Sequence, residues 1–234
     1  MQLLHVVATP RAADSRTLRI AYPFLESFRA ECPNAQIETL DLFGRDLPAL
    51  DGTNIDVKYN LMSGRPISPG HAESWRHIEE LINQFMRADV CLISAPMWNF
   101  GVPYVLKYYI DVIVQPRYLF AYDDAGIPVG RCQGKRLVCI TTRGGDYSAG
   151  GPMHAFDLQE TYLRAIFGFV GITDIEFINA QPIDMGPELR EAAITASIET
   201  AQSLAAKLVA QTGEAANGAA TLATSPGARP ATRL

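Results

Sequence analysis

The chain has few residues that could crosslink it or bind a metal. Its 234 residues include four cysteines and four histidines, with no CxxC pair. Cys32, Cys91, Cys132 and Cys139 show no ligand spacing with His5, His71, His77 or His154, so no metal is expected. Cys91 and Cys139 lie inside apolar runs, which suits small core residues in a reducing compartment. Positive charge is not in excess: 20 Lys and Arg against 25 Asp and Glu leave a net charge of −5. The basic stripe of a dedicated nucleic-acid binder is therefore missing. A small anion is not excluded, because backbone N–H groups hold phosphate without net positive charge. No run approaches the ~20 apolar residues of a membrane span. The first apolar run has neither the basic flank nor the cleavage pattern of a signal peptide. A cytoplasmic protein without a membrane partner is the expectation. GxGxxG, GxxxxGK(S/T) and GxSxG are absent, which removes the dinucleotide fingerprint, the P-loop and the hydrolase elbow. With no convincing triad either, no catalytic side chain is assigned.

What is present fits one α/β domain. Hydrophobic residues make up 48% and charged residues 19% of the chain, ordinary values for a sequence that buries a core. Continuous apolar runs at 2–8, 37–42, 90–95, 136–142 and 175–180 read as buried parallel strands. Between them, apolar residues recur at helical spacing over 18–28, 73–87, 103–114, 155–167 and 188–209. Pro103 stands where a helix start tolerates its missing N–H. The sequence around Asp124, Ala125 and Gly126 reads as a turn between two short strands. Segment 43–70 is long and rich in Pro, Gly, Asp and Asn, and a connection of that length is usually functional or in contact with a partner. Residues 211–234 are poor in large apolar side chains and are expected to form a disordered tail beyond a single domain spanning 1–210. Five strands alternating with helices predict a doubly wound five-stranded parallel sheet of order 2-1-3-4-5, with helices on both faces. Ligands of such sheets bind beyond the carboxyl ends of strands one and three.

Three loops on that edge carry the chemistry. The first, TPRAADSRT, follows a strand and opens a helix. Thr9, Ser15 and Thr17 offer hydroxyls, and the helix start adds unpaired N–H groups, a set suited to a terminal phosphate. Ser15 could equally serve only as an N-cap. The second loop runs from residue 95 to 103. Pro96, Met97, Trp98, Asn99 and Phe100 suit a flat ring with a polar edge, or else pack on the following helix. In the third loop, Thr142, Arg143, Gly144, Gly145 and Tyr147 surround a diglycine. That pair permits close backbone approach and φ > 0, for a ligand edge or for a tight turn alone.

Taken in order, TPRAADSRT, APMWNFGVPYVLKYYIDVIVQP and TTRGGDY resemble the FMN-dependent NAD(P)H azoreductases, or quinone reductases, of the flavodoxin-like superfamily. The likeness covers about residues 1–210. It implies an FMN phosphate held by Thr9, Ser15, Arg16 and Thr17. It also implies a ring lined by Met97, Trp98, Asn99 and Phe100, with a pyrimidine end at Thr142, Arg143, Gly144 and Gly145. Tyr147 would be a further ring-edge contact. The flavin would carry the chemistry, taking electrons from NADH or NADPH and reducing quinones and azo compounds in a ping-pong cycle. Asn99, Gly144 and Gly145 would tune it. The alternative is a flavodoxin-like electron carrier without a substrate of its own. A homodimer is expected as well. The apolar content of 43–70 and of 118–122 predicts an interface, with Tyr118 and Phe120 reaching a shared substrate pocket.

Overall fold

A computed structural model describes the backbone of residues 1–223 and the side chains of residues 1–211. The five apolar runs form β1 (Gln2–Val7), β2 (Gln36–Asp41), β3 (Val90–Pro96), β6 (Arg136–Thr142) and β7 (Asp174–Ala180). They pair in parallel in the spatial order β2-β1-β3-β6-β7, which is the expected 2-1-3-4-5 order for the five long strands. Register is set by pairs such as Leu3 with Val90 and Cys91 with Leu137. Two short strands, β4 (Phe120–Tyr122) and β5 (Pro128–Gly130), form a separate antiparallel hairpin around the predicted turn.

The pleat sends successive side chains to opposite faces. On β3, Cys91, Ile93 and Ala95 enter one core, while Val90 and Leu92 enter the other. The first core packs beneath α3 (Ala72–Arg87), α4 (Tyr104–Ile113) and α5 (Leu158–Phe169). The second lies under α1 (Leu18–Glu31) and α6 (Pro187–Ala223). Such two-sided burial is why the strands read as unbroken apolar runs. Cys91, Cys132 and Cys139 are buried free thiols, and burial pushes the Cys91 thiol up to about 12.

Two segments differ from the sequence reading. The connection 43–70 contains α2 (Gly52–Met62). Asp51 caps it by accepting the Asn54 N–H at 3.0 Å, and Asn54 donates to the Ala49 carbonyl at 2.6 Å. Val57 and Leu61 are buried, and Phe43, Leu47 and Leu50 pack on the chain's own core. Most of the apolar content expected at an interface is thus used within the domain. Helix α6 runs to Ala223, past its expected end at 209. The tail expectation for 224–234 falls outside the described residues. Among the described residues, no helix is long and apolar enough to cross a membrane.

Candidate functional site

Strands β1, β3 and β6 end side by side, and the loops leaving them meet in one cleft of about 230 Å³. Thr9, Ser15, Arg16, Thr17, Pro96, Met97, Trp98, Thr142 and Gly144 line it, nine of the residues expected there. Pro10, Arg11, Ile183 and Asp184 complete the wall.

The cleft floor is a set of buried hydroxyls. Thr9, Ser15, Thr17 and Thr142 are all buried. Ser15 Oγ donates to Thr9 Oγ1 at 3.1 Å and accepts the Leu18 N–H at 3.3 Å. Ser15 thus satisfies the first N–H of α1 from two residues ahead of the N-cap, Thr17, and also lines the cleft. Thr17 Oγ1 and Thr142 Oγ1 lie 2.8 Å apart, tying the first loop to the third. The chain enters α1 through a short 3-10 turn, Ala12–Asp14, with Ala12 at φ 43°. Among the described residues, the N–H groups of Arg16 and Thr17 have no acceptor. Unpaired N–H groups at a helix start attract anions.

The second loop is held by a tight turn. Trp98 and Gly101 exchange both backbone hydrogen bonds, at 3.0 and 2.9 Å. Between them Asn99 has φ 48° and Phe100 φ 70°, the pair of positive angles that a type I′ turn requires. Asn tolerates that region, but a Phe there is strained. The turn leaves Asn99 and Phe100 exposed at the rim instead of in the wall. Phe100 rests against Phe156 and Tyr147, with ring centroids 5.2 and 6.4 Å away.

In the third loop neither Gly144 nor Gly145 adopts a left-handed angle, and close approach is found at Gly144 alone. A Cβ on Gly144 would come within 2.8 Å of Asp184 Oδ2, whereas one on Gly145 would make ordinary contacts with Met153 and Tyr147. The loop continues the β6–β7 pairing: Ile183 N–H donates to the Arg143 carbonyl at 3.0 Å, and Asp184 N–H to the Gly144 carbonyl at 3.1 Å. That pairing fixes Asp184, whose carboxylate takes Arg16 at 2.7 Å across the cleft. The Arg143 side chain turns inward. It bonds Asp157 at 2.6 Å and Thr141 Oγ1 at 3.0 Å, and lies 3.6 Å from Glu160. Any contact of Arg143 with a ligand in the cleft would thus come from its backbone. Behind the site, His5 and Ser94 bridge β1 and β3 at 2.8 Å, and burial lowers the His5 imidazole to about 4.

Tyr118 and Phe120 do not join the cleft of their own chain. The Tyr118 hydroxyl accepts from Trp75 Nε1 at 3.2 Å and donates to Glu79. Phe120 is only 6% exposed and packs on Phe169 at 4.9 Å. The hairpin they begin is anchored by the Arg131 N–H on the Leu119 carbonyl and folds back over the end of α5. Sequence reasoning missed Ile183 and Asp184, which follow the last strand in a stretch without any motif. Their position next to β6 was the available signal, since a strand-order prediction places the loop after β7 beside the diglycine.

A doubly wound sheet with an anion-suited cleft at its switch point, walled on one side by Pro96, Met97 and Trp98, defines a flavodoxin-like protein. Known proteins agree with that class. The family model described as "Flavodoxin-like fold" matches residues 1–205. An FMN-dependent NADH:quinone oxidoreductase of Pseudomonas fluorescens is 35% identical over 212 residues, covering 90% of this chain and 98% of that one. One from Nostoc punctiforme is 38% identical over 186 residues, 80% of this chain and 89% of the relative. Among solved structures, an FMN-dependent NADH-azoreductase of Bacillus anthracis in complex with FMN superposes with a TM-score of 0.76 at 28% identity, over 87% of this chain and 99% of that one. The chain belongs to the flavodoxin-like family, and its named relatives are enzymes.

Proposed function

We propose that this protein is an FMN-dependent NADH:quinone oxidoreductase that also reduces azo compounds, working by a ping-pong cycle as a homodimer. The observation that carries the reading is the buried hydroxyl cradle joined to the unpaired Arg16 and Thr17 N–H groups at the start of α1. These donors fit the terminal phosphate of FMN without requiring net positive charge. Thr9, Ser15 and Thr17 would hold it, with Arg16 adding charge. Met97 and Trp98 offer the apolar wall for a flat ring, with Asn99 and Phe100 at its rim and Tyr147 behind Phe100. Among the described residues, the Gly144 and Gly145 N–H groups have no acceptor. They are the donors this reading assigns to the electron-rich edge of the ring, where they would stabilise negative charge as an oxyanion hole does. When bound, FMN supplies two-electron transfer from NADH to a quinone or azo acceptor. The protein's own part is to bind and orient the ring.

Support comes from relatives covered almost end to end, whose names state FMN, NADH and quinone. They favour an enzyme over an electron carrier. Titration with FMN tests the reading: one equivalent should bind, bleach with NADH and recolour on adding a quinone. Failure to bind FMN refutes it. Donor and acceptor sharing one open face predicts parallel double-reciprocal lines; intersecting lines across several acceptors would require two sites. For the dimer, exposed Phe100, Phe156 and Phe169 are the support. A species of 25.6 kDa at micromolar concentration in sedimentation would refute it.

A further inference from the structure

The first turn of α5 grips the second and third loops together. Asp157 caps the helix by accepting the Glu160 N–H at 3.0 Å, and its other oxygen takes the Arg143 guanidinium of the third loop at 2.6 Å. Leu158 follows, and its N–H, the first of α5, goes to the Phe100 carbonyl of the second loop at 3.1 Å. Gln159 comes next. Its Nε2 donates to the Pro96 carbonyl at 3.0 Å and lies 3.4 Å from the Ala95 carbonyl. The Pro96 carbonyl needs a donor from outside the sheet. The β1–β3 ladder ends at the Ala8 N–H on the Ser94 carbonyl, at 2.9 Å. Pro10 and Pro96, which would extend it, have no N–H to give. Gln159 is wholly buried, yet its Oε1 has no hydrogen-bond partner among the described residues. A buried orphan acceptor costs stability that an apolar side chain of the same size would not. Fold stability alone therefore does not call for a glutamine here; what the amide supplies is a donor to the loop. Phe100 carries the strained φ of 70°, and such an angle persists only where its surroundings over-determine it. The Leu158 N–H on its carbonyl is one such restraint.

We propose that this turn is a clamp that sets the second loop against the third, and that Gln159 and the Leu158 N–H are positioning groups for the flavin ring. The proposal rests on the reading that the cleft holds FMN. Neither Leu158 nor Gln159 lines the cleft. They act through Pro96, which does, and through Phe100 at its rim. Among the described residues, the hydroxyls of Thr9, Ser15 and Thr17 bond within the first loop and its helix and to Thr142, not to α5. The clamp should therefore govern how the ring is held and leave the phosphate cradle as it is.

Titration of the full chain with FMN and with riboflavin, which lacks the phosphate, tests the clamp. Gln159→Met keeps the side chain's length and removes both the donor and the orphan acceptor. It should raise Kd for FMN and for riboflavin by the same factor, about threefold to tenfold, with the urea midpoint of the flavin-free protein close to wild type. Leu158→Pro deletes one N–H at the first helical position, where proline is tolerated. It should weaken both ligands similarly, whereas Leu158→Ala, which keeps the N–H, should not. In the flavin-free protein, hydrogen exchange at the Trp98 and Gly101 amides should quicken at least about threefold in Gln159→Met and in Leu158→Pro. Wild-type FMN affinity in both variants would overturn the proposal. So would a loss of FMN affinity with riboflavin binding unchanged, or equal damage from Leu158→Ala and Leu158→Pro. Weaker binding in Gln159→Met with a lower urea midpoint and unchanged exchange at Trp98 and Gly101 would make Gln159 merely structural and overturn it too. A wild-type chain that binds no FMN would defeat the functional reading; quickened exchange in the variants would then leave the clamp standing, and unchanged exchange would remove it as well.

Discussion

Acid should loosen this fold through one histidine. His5 lies in the middle of β1, bonded to Ser94 of β3 at 2.8 Å, and burial lowers it from 6.5 to about 4. In the unfolded chain the imidazole accepts a proton near pH 6.5; in the folded chain it resists until about pH 4. Between those values the unfolded state binds more protons, so stability rises with pH across the window. The contribution is fully present above about pH 6.5 and is lost progressively as pH falls towards 4. Linkage over this span gives a loss of about 2.5 kcal/mol between about pH 7.5 and 4.5, a sizeable part of the stability of an ordinary domain. Urea unfolding of the flavin-free protein at half-unit pH steps measures it. His5→Gln keeps a hydrogen-bonding group and removes the titration, so its stability profile should be flatter by about that amount over the same range. Wild-type and His5→Gln profiles with equal slope between about pH 6.5 and 4.5 would refute the reasoning and place the acid sensitivity elsewhere. Because β1 and β3 deliver two of the three cleft loops, FMN release should accompany the loss.

Three other outcomes test the site and its limits. Gly145→Val should cost the fold less than about 1 kcal/mol, since the added Cβ meets Met153 and Tyr147 at 3.4 and 3.5 Å, yet raise the FMN Kd at least about tenfold; full flavin occupancy in the variant would show that this loop does not approach the ring. Asp184→Asn removes a carboxylate from beside the proposed phosphate and frees Arg16 from an exposed pair worth less than about 1 kcal/mol. FMN should bind several-fold more tightly by fluorescence titration, and weaker binding would mean that Asp184 positions Arg16 for the phosphate. Deleting residues 212–234 should leave FMN affinity and turnover unchanged, because Leu208 is the last buried core side chain among the described residues; loss of the flavin site in that truncation would contradict it.

The sequence by itself determined the layers and their order. Each long strand is buried on both faces, so it appears as an apolar run whatever its neighbours are, and helices between such runs force parallel pairing. The three loop motifs were legible for the same local reason: each leaves a strand end, and its hydroxyls, aromatics or glycines stand close together in the chain. Helix α2 was hidden because its sequence, GTNIDVKYNLM, is rich in Asn, Asp and Gly, and one of its buried positions is Asn54. That polar residue is satisfied only by the Ala49 carbonyl and by Ser74 of α3, partners that no periodicity reveals. The tertiary structure alone decided which way side chains turn. Arg143 reads as a cleft residue until Asp157 and Glu160 of another element take its charge inside. Phe120 reads as an interface ring until Phe169 covers it. Asp184 enters the cleft from 168 residues beyond Arg16 because β7 lies next to β6. The backbone pattern is written in local spacing, whereas the partners of a charge or a ring are set by segments distant in the chain.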